Sequence, residues 1–414
     1  MNTPEILAPA GSIETLHTAC LYGADAVYLG VRGGTNLRDG AKNFAGDELE
    51  QAVAFAHERK VRVYLALNTY PHDDQIRSME GLVRFAVYDA GVDAIIVSDL
   101  GVLNLVREQA PDVPVHLSTQ ANTVNIRAVN TWSFLGVTRV ILARELTAEE
   151  IAFIRGRTNV ELEIFVHGSV CMSISGRCLI SDYLCSRDPN RGQCAQPCRW
   201  DYSLMERTRE GQYMSIMEED GFTFLYNSKD LCLLPVIDRV MDLNLHALKI
   251  EGRNKASLYV ATAVSVYRQA RDEYLKNPEG FCVKPEWVEE IGKISNREYF
   301  TGFFTGKPGP EGVNYEFGRY TQTHHLAARI LGRNNGRVLM EARNPLIEGM
   351  ELEWLSSSGA RETFPLQNAL VNGRHAKSIR PNQVFELSTP FQPLPGELVR
   401  KPFSEGDKIA DEEE

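Results

Sequence analysis

No stretch of this chain approaches the roughly 18 consecutive apolar residues that would read as a membrane-spanning helix. No apolar leader opens it either, because Glu5, Glu14 and His17 interrupt the first segment. A cytoplasmic location is therefore expected. In that compartment the eight cysteines are expected as thiols, metal ligands or redox groups rather than disulfides. The H-E-x-x-H pair of zinc proteases is absent. So is the C-x₃-C-x₂-C run of radical clusters, and no Gly-rich dinucleotide turn follows the first candidate strand. A net charge of −11 argues against wholesale nucleic-acid binding but leaves room for a local basic patch.

What is present fits a globular protein of 414 residues, with 43% hydrophobic and 24% charged residues. That length is too great for one ordinary core, so two or three domains are expected. Short apolar runs alternate with amphipathic segments over the first 250 residues or so. Candidate strands are Ile6–Ala8, Ala26–Leu29, Val61–Leu67, Ala94–Val97, Val115–Leu117, Arg139–Ala143, Leu162–Val166 and Ala247–Ile250. Candidate helices include Ile13–Tyr22, Asp47–Glu58 and Gln75–Ala90. An open doubly wound sheet would share this alternation. The strand count and the missing dinucleotide turn favour an α/β fold of the (β/α)₈ TIM-like barrel type, spanning 1–276. Each strand ends in polar or glycine residues, as a pocket at the C-terminal mouth requires.

Five cysteines crowd one stretch: Cys171, Cys178, Cys185, Cys194 and Cys198. It forms a cysteine-rich insertion of about 169–244 between the seventh and eighth strands, without an obvious helix before Asp230–Val240. Residues 277–326 read as a linker. Residues 327–403 carry short β-type runs between turn signals such as Asn334-Asn335-Gly336, which suggests a small all-β barrel domain. Between Arg329 and Phe403 there are ten Lys and Arg against seven Glu. The acidic tail 404–414 is expected to be disordered. The thiol spacings are not those of zinc fingers. Soft thiolates would suit zinc or an iron–sulfur cluster, yet buried free cysteines filling a core give the same spacing, so both readings stand.

The run FVHGSVCMSISGRCLIS resembles the signature of the U32 peptidases, the collagenase-like family. ILAPAG, GADAVYLG, NSKDLC and LKIEGR are similar to other parts of that family, and the resemblance covers nearly the whole chain. DPNRGQCAQPCRWDY and the β domain look most like its tRNA-modifying branch. Despite the family name, the resemblance implies an oxygen-independent hydroxylase with a 4Fe–4S cluster. It would convert the wobble uridine of tRNA to 5-hydroxyuridine with prephenate as co-substrate. By motif position the cluster ligands would be Cys171, Cys178, Cys194 and Cys232, with Cys198 a rival for the fourth place and Cys185 without a counterpart.

For such a reaction, Arg144, Lys249 and Arg253 stand at strand ends and suit a dicarboxylate, with Glu251 a further substrate-binding candidate. His167 suits an acid or base. Arg374, Lys377 and Arg380 suit an RNA backbone. Three other readings remain. One is a peptidase, for which Cys171 and His167 are the only close pair in sequence. Another is a hydroxylase of a small aromatic such as a ubiquinone precursor. The third is a scaffold with a structural cluster.

Overall fold

Parallel strands need crossovers long enough to hold a helix, and this chain supplies them with well-marked starts. Strand β1 (Glu5–Pro9) leads into helix Ile13–Leu21, where Ser12 accepts from the Thr15 amide and Thr15 bonds back. Thr147 caps a later helix in the same reciprocal way, and the Asp99 and Asn125 side chains accept from first-turn amides of two others. The structure is a computed structural model that describes residues 2–38, 41–171, 173–200, 228–308, 312 and 320–403.

Strands β2 (Ala26–Leu29), β3 (Arg62–Leu67), β4 (Ala94–Val97), β5 (Val115–Leu117), β6 (Arg139–Ile141) and β7 (Glu161–Gly168) come next in chain order. Each pairs in parallel with its predecessor. Strand β8 (Asp230–Cys232) runs antiparallel against the end of β7, and β9 (Ala247–Ile250) pairs in parallel with both β7 and β1. Among the described residues, eight parallel strands thus close the barrel that the sequence pattern indicates. One candidate shifts: Asp230–Cys232 is a strand, and the helix behind it begins only at Ile237.

The strands are buried on both faces, which is why they read as unbroken apolar runs. Outward residues such as Ile6, Val27, Val63, Ile95 and Leu248 pack under the helices. Inward residues Leu7, Tyr28, Tyr64, Ile96 and Ile141 fill the bore. Each aliphatic side chain so buried contributes about 1.5–3 kcal/mol.

Residues 277–326 are more than a linker. They hold helix Pro285–Gly292, whose Trp287 and Ile291 join the barrel core, and strand β10 (Tyr299–Phe300), which pairs with β8. The C-terminal unit is antiparallel and has its own core around Ile330, Met340, Trp354, Phe364 and Phe385. Its strand His324–Asn334 turns directly into Arg337–Ala342 through Asn335 and Gly336, both at positive φ, as a two-residue hairpin demands. The Tyr22 hydroxyl donates to Leu355 O (2.7 Å) and accepts from Leu398 N (3.0 Å), so the unit is fastened to the barrel. A buried pair of Arg400 with Glu290 at 2.8 Å fastens it again. The acidic tail lies outside the described residues.

Candidate active site

The ends of the barrel strands and the insertion enclose one cavity of about 140 Å³, a size that admits a single benzene-like ring. Its inner wall comes from side chains that alternation along the strands turns inward: Tyr28, Ile96, Ile141, Phe165 and Lys249. Its outer wall comes from the insertion. Two glycines let the insertion lie there. A Cβ on Gly168, at φ +106°, would sit 2.5 Å from Glu251 O; one on Gly176, at φ +83°, would sit 3.1 Å from Gln120 Nε2. Ser175 N and Oγ donate to Glu145 at 2.6 and 2.7 Å, and Asn190 Nδ2 donates to Cys178 O at 2.8 Å. The bonds to Glu145 pin the segment to the barrel mouth, and the Asn190 bond braces the segment internally.

Beneath the cavity lies a charged floor. Lys249 Nζ donates to Glu163 at 3.0 Å and stands 4.3 Å from the centre of the Tyr28 ring. Glu163 lies 3.5 Å from Arg139, which reaches Glu5 at 2.9 Å. Burial pulls the Lys249 pKa down, and Glu163 opposes it.

Above the floor, Arg253 is only 5% exposed, and its Nη1 has no hydrogen-bond partner among the described residues. Burial lowers its pKa to about 10. A buried unsatisfied donor of this kind costs about 1–3 kcal/mol, more when charged, until something accepts from it. Arg144 donates to Ser169 O (2.6 Å) and lies 4.0 Å from the Phe165 ring centre; its Nε is also buried without a partner. Glu251 is taken by Arg38, a residue that the strand-end pattern does not single out because it lies in the loop after β2. Burial disfavours the Glu251 carboxylate, but Arg38 and Arg144 outweigh it and hold the pKa below the usual range.

Four thiols line this cavity: Cys171, Cys178, Cys194 and Cys198. Cys178 Sγ accepts from Ile180 N (3.4 Å) and Cys194 Sγ from Gln196 N (3.3 Å). Among the described residues, no three His, Cys, Asp or Glu side chains converge on a single metal ion. A 4Fe–4S cluster does not require that, since it takes one thiolate on each of four irons. The donor set therefore fits a cluster in chemistry and in number.

Cys232 and His167 are not on the cavity wall. Strand β7 carries an extra residue between Phe165 and His167, so Phe165 pairs with Lys249 but His167 with Ile250. That bulge breaks the alternation and turns His167 to the outer face. There it lies among the rings of Tyr259, Tyr267 and Tyr299, fully buried, with neither ring nitrogen hydrogen-bonded among the described residues. Burial lowers its pKa to about 4. Cys232, its register partner on β8, lies 3.7 Å from the Tyr267 hydroxyl, and burial pushes its thiol up to about 11. The acid–base place expected for His167 therefore does not match its surroundings. Arg374, Lys377 and Arg380 are exposed on the C-terminal unit and take no part in the cavity.

Among the described residues no helix is long and apolar enough to cross a membrane. The sequence model of peptidase family U32 matches residues 11–314. The chain is 36% identical over 409 residues to tRNA hydroxylation protein P1 of Bacillus subtilis, covering 96% of this chain and 94% of the relative. It is 33% identical over 440 residues to tRNA hydroxylation protein P of Escherichia coli, covering 96% and 95%. It is also 33% identical over 319 residues to a collagenase of Porphyromonas gingivalis, covering 74% and 75%.

Proposed function

The chain belongs to peptidase family U32, and from that premise we propose that it is a tRNA-modifying hydroxylase. Its product would be 5-hydroxyuridine at the wobble position, formed without molecular oxygen and with prephenate as co-substrate. The observation that carries this reading is the cavity itself, where four thiols face a buried guanidinium with an unused donor.

Cys171, Cys178, Cys194 and Cys198 would hold a 4Fe–4S cluster, which when bound supplies one-electron chemistry beside the cavity. Cys232 would replace Cys198 only by leaving Tyr267. Arg253 would donate to one carboxylate of the co-substrate, and Arg144 stands on the same wall for the second. Lys249 and Glu163 pair in the floor and leave the anion to the two arginines. Arg38 neutralises Glu251, so a bound dianion does not face a bare carboxylate. The apolar faces of Phe165, Ile96 and Ile141 exclude water around a ring.

Proteolysis finds less support. Cys171 lines the cavity while His167 is turned out of it, so the close Cys–His pair does not form a dyad.

The test is anaerobic purification with iron and sulfide analysis, then nucleoside mass spectrometry of tRNA incubated with prephenate. About four irons per chain and prephenate-dependent 5-hydroxyuridine are the expected results. A colourless protein with stoichiometric zinc would end the cluster reading, and unmodified tRNA from cluster-loaded protein would end the hydroxylase reading.

A further inference from the structure

The outer side of the cavity wall carries an unusual surface. Ile174, Leu179, Tyr183, Leu184 and Trp200 are all exposed, Tyr183 at 83% and Trp200 at 45%. They interleave with residues that line the cavity, Ser173, Cys178, Ile180 and Ser181, so the rim and the pocket are two faces of one segment. Arginines accompany them. Arg177 donates to the Tyr70 hydroxyl and Arg187 to Gln193 O (3.0 Å). Among the described residues neither these two nor Arg191 pairs with a carboxylate. From Ser169 to Trp200 the sequence holds four arginines against two aspartates, in a chain of net charge −11.

We propose that this rim is the docking surface for an unpaired RNA loop, with bases stacking on Tyr183 and Trp200 and phosphates held by Arg177 and Arg187. The inference rests on the RNA-hydroxylation reading and names where that substrate would sit. An acidic protein repels a polyanion over most of its surface, so binding needs a local surplus of cations. Exposed aromatic faces with adjacent guanidinium groups suit unstacked bases, which present π-faces that a duplex hides. The rim borders the cavity mouth, so a base turned out of the loop would move from the platform to the edge of the co-substrate's site. A protein partner would use the apolar side chains but has less call on three arginines that pair with no carboxylate among the described residues.

The test is fluorescence anisotropy on the full chain with two probes: an RNA hairpin with an unpaired loop, and its stem as a blunt duplex. The parent should prefer the hairpin. Tyr183→Ala should weaken hairpin binding about tenfold, while Tyr183→Phe keeps it. Because Tyr183 is exposed, neither change should move the melting temperature. Arg177→Gln with Arg187→Gln should flatten the salt dependence by about one unit of slope for each phosphate no longer neutralised. A Tyr183→Ala, Trp200→Ala double variant that binds the hairpin as tightly as a binding-competent parent overturns the rim but leaves the RNA reading intact. The same variant binding normally yet sedimenting as a smaller species than the parent would reassign the rim to self-association. A parent that binds neither probe removes the RNA reading and this inference with it.

Discussion

Arg38 donates through both Nε and Nη2 to a single oxygen of Glu251, at 3.1 and 3.0 Å. Arg253, two residues on, is left with its Nη1 unpartnered among the described residues. Cys171 and Cys194 lie close enough to Arg38 to act on its charge, and Glu251 and those sulfurs together raise its pKa. The cavity is thereby divided, with Arg38 serving the carboxylate and thiol side and Arg253 left open to a ligand.

Arg253 should therefore control anion binding. A bidentate guanidinium–carboxylate contact in a partly dry site is worth about 1.5–3 kcal/mol, or roughly 10- to 150-fold in affinity. Calorimetry with prephenate on cluster-loaded protein should show Arg253→Lys weakened although charge is kept, because lysine lacks the planar fork. Arg253→Ala should be weaker still and should keep its iron. Since burial brings the Arg253 pKa to about 10, its charge is present below that pH. Affinity should fall as pH rises through about 10 in the parent and not in the alanine variant. Prephenate binding unchanged in Arg253→Ala would show that the clamp lies elsewhere.

The thiols make a second prediction. Cys171→Ser, Cys178→Ser and Cys194→Ser should each lose most of the iron, because an alkoxide is a poor substitute for a soft thiolate. On the present geometry Cys198→Ser should do the same and Cys232→Ser should not. Cys185→Ser, which leaves the cavity wall intact, should keep its iron. The reverse result for the Cys198 and Cys232 pair would mean that cluster binding draws β8 toward the insertion and frees Cys232 from Tyr267.

Much of the fold and part of the site are legible in the chain. The barrel strands show because burial on both faces leaves unbroken apolar runs, and the hairpin at Asn335-Gly336 shows because positive φ restricts the residues allowed there. Arg144, Lys249 and Arg253 can be placed at the mouth from strand ends alone. His167 and Cys232 cannot be oriented, since a single extra residue in β7 reverses the facing of the residues beyond it and leaves no mark in composition. Arg38 escapes because its role depends on a partner more than 200 residues away. The helix within 277–326 is masked by the flanking Gly, Pro and aromatic residues.

The C-terminal unit makes a third prediction. Arg374, Lys377 and Arg380 lie exposed on one stretch of it. Changing all three to Gln should weaken RNA binding uniformly across sequences and lower the salt slope by up to about three units. Iron content should not change. Identical salt titrations for the parent and the triple variant would confine RNA contact to the barrel.

His167 yields the last prediction, because its burial separates a structural role from a chemical one. Its pKa is about 4 in the folded protein, chiefly from burial, against 6.5 when exposed. The folded state thus holds the ring neutral. The associated stability is complete above about pH 6.5 and is lost as pH falls toward 4. Near pH 4.5 the loss is about 2–3 kcal/mol. Denaturant unfolding of the parent at pH 7 and pH 4.5 should show it, on top of whatever the carboxylates contribute. His167→Phe replaces a ring whose nitrogens are unsatisfied with one that has none, so its stability should fall less between the two pH values. Should the larger ring crowd Tyr259 and Tyr267, His167→Leu makes the same comparison with less volume. Turnover at pH 7 should survive either change, since the imidazole does not reach the cavity. Loss of turnover in a variant that folds and keeps its iron would restore His167 as the acid or base and show that β7 rearranges when substrate binds.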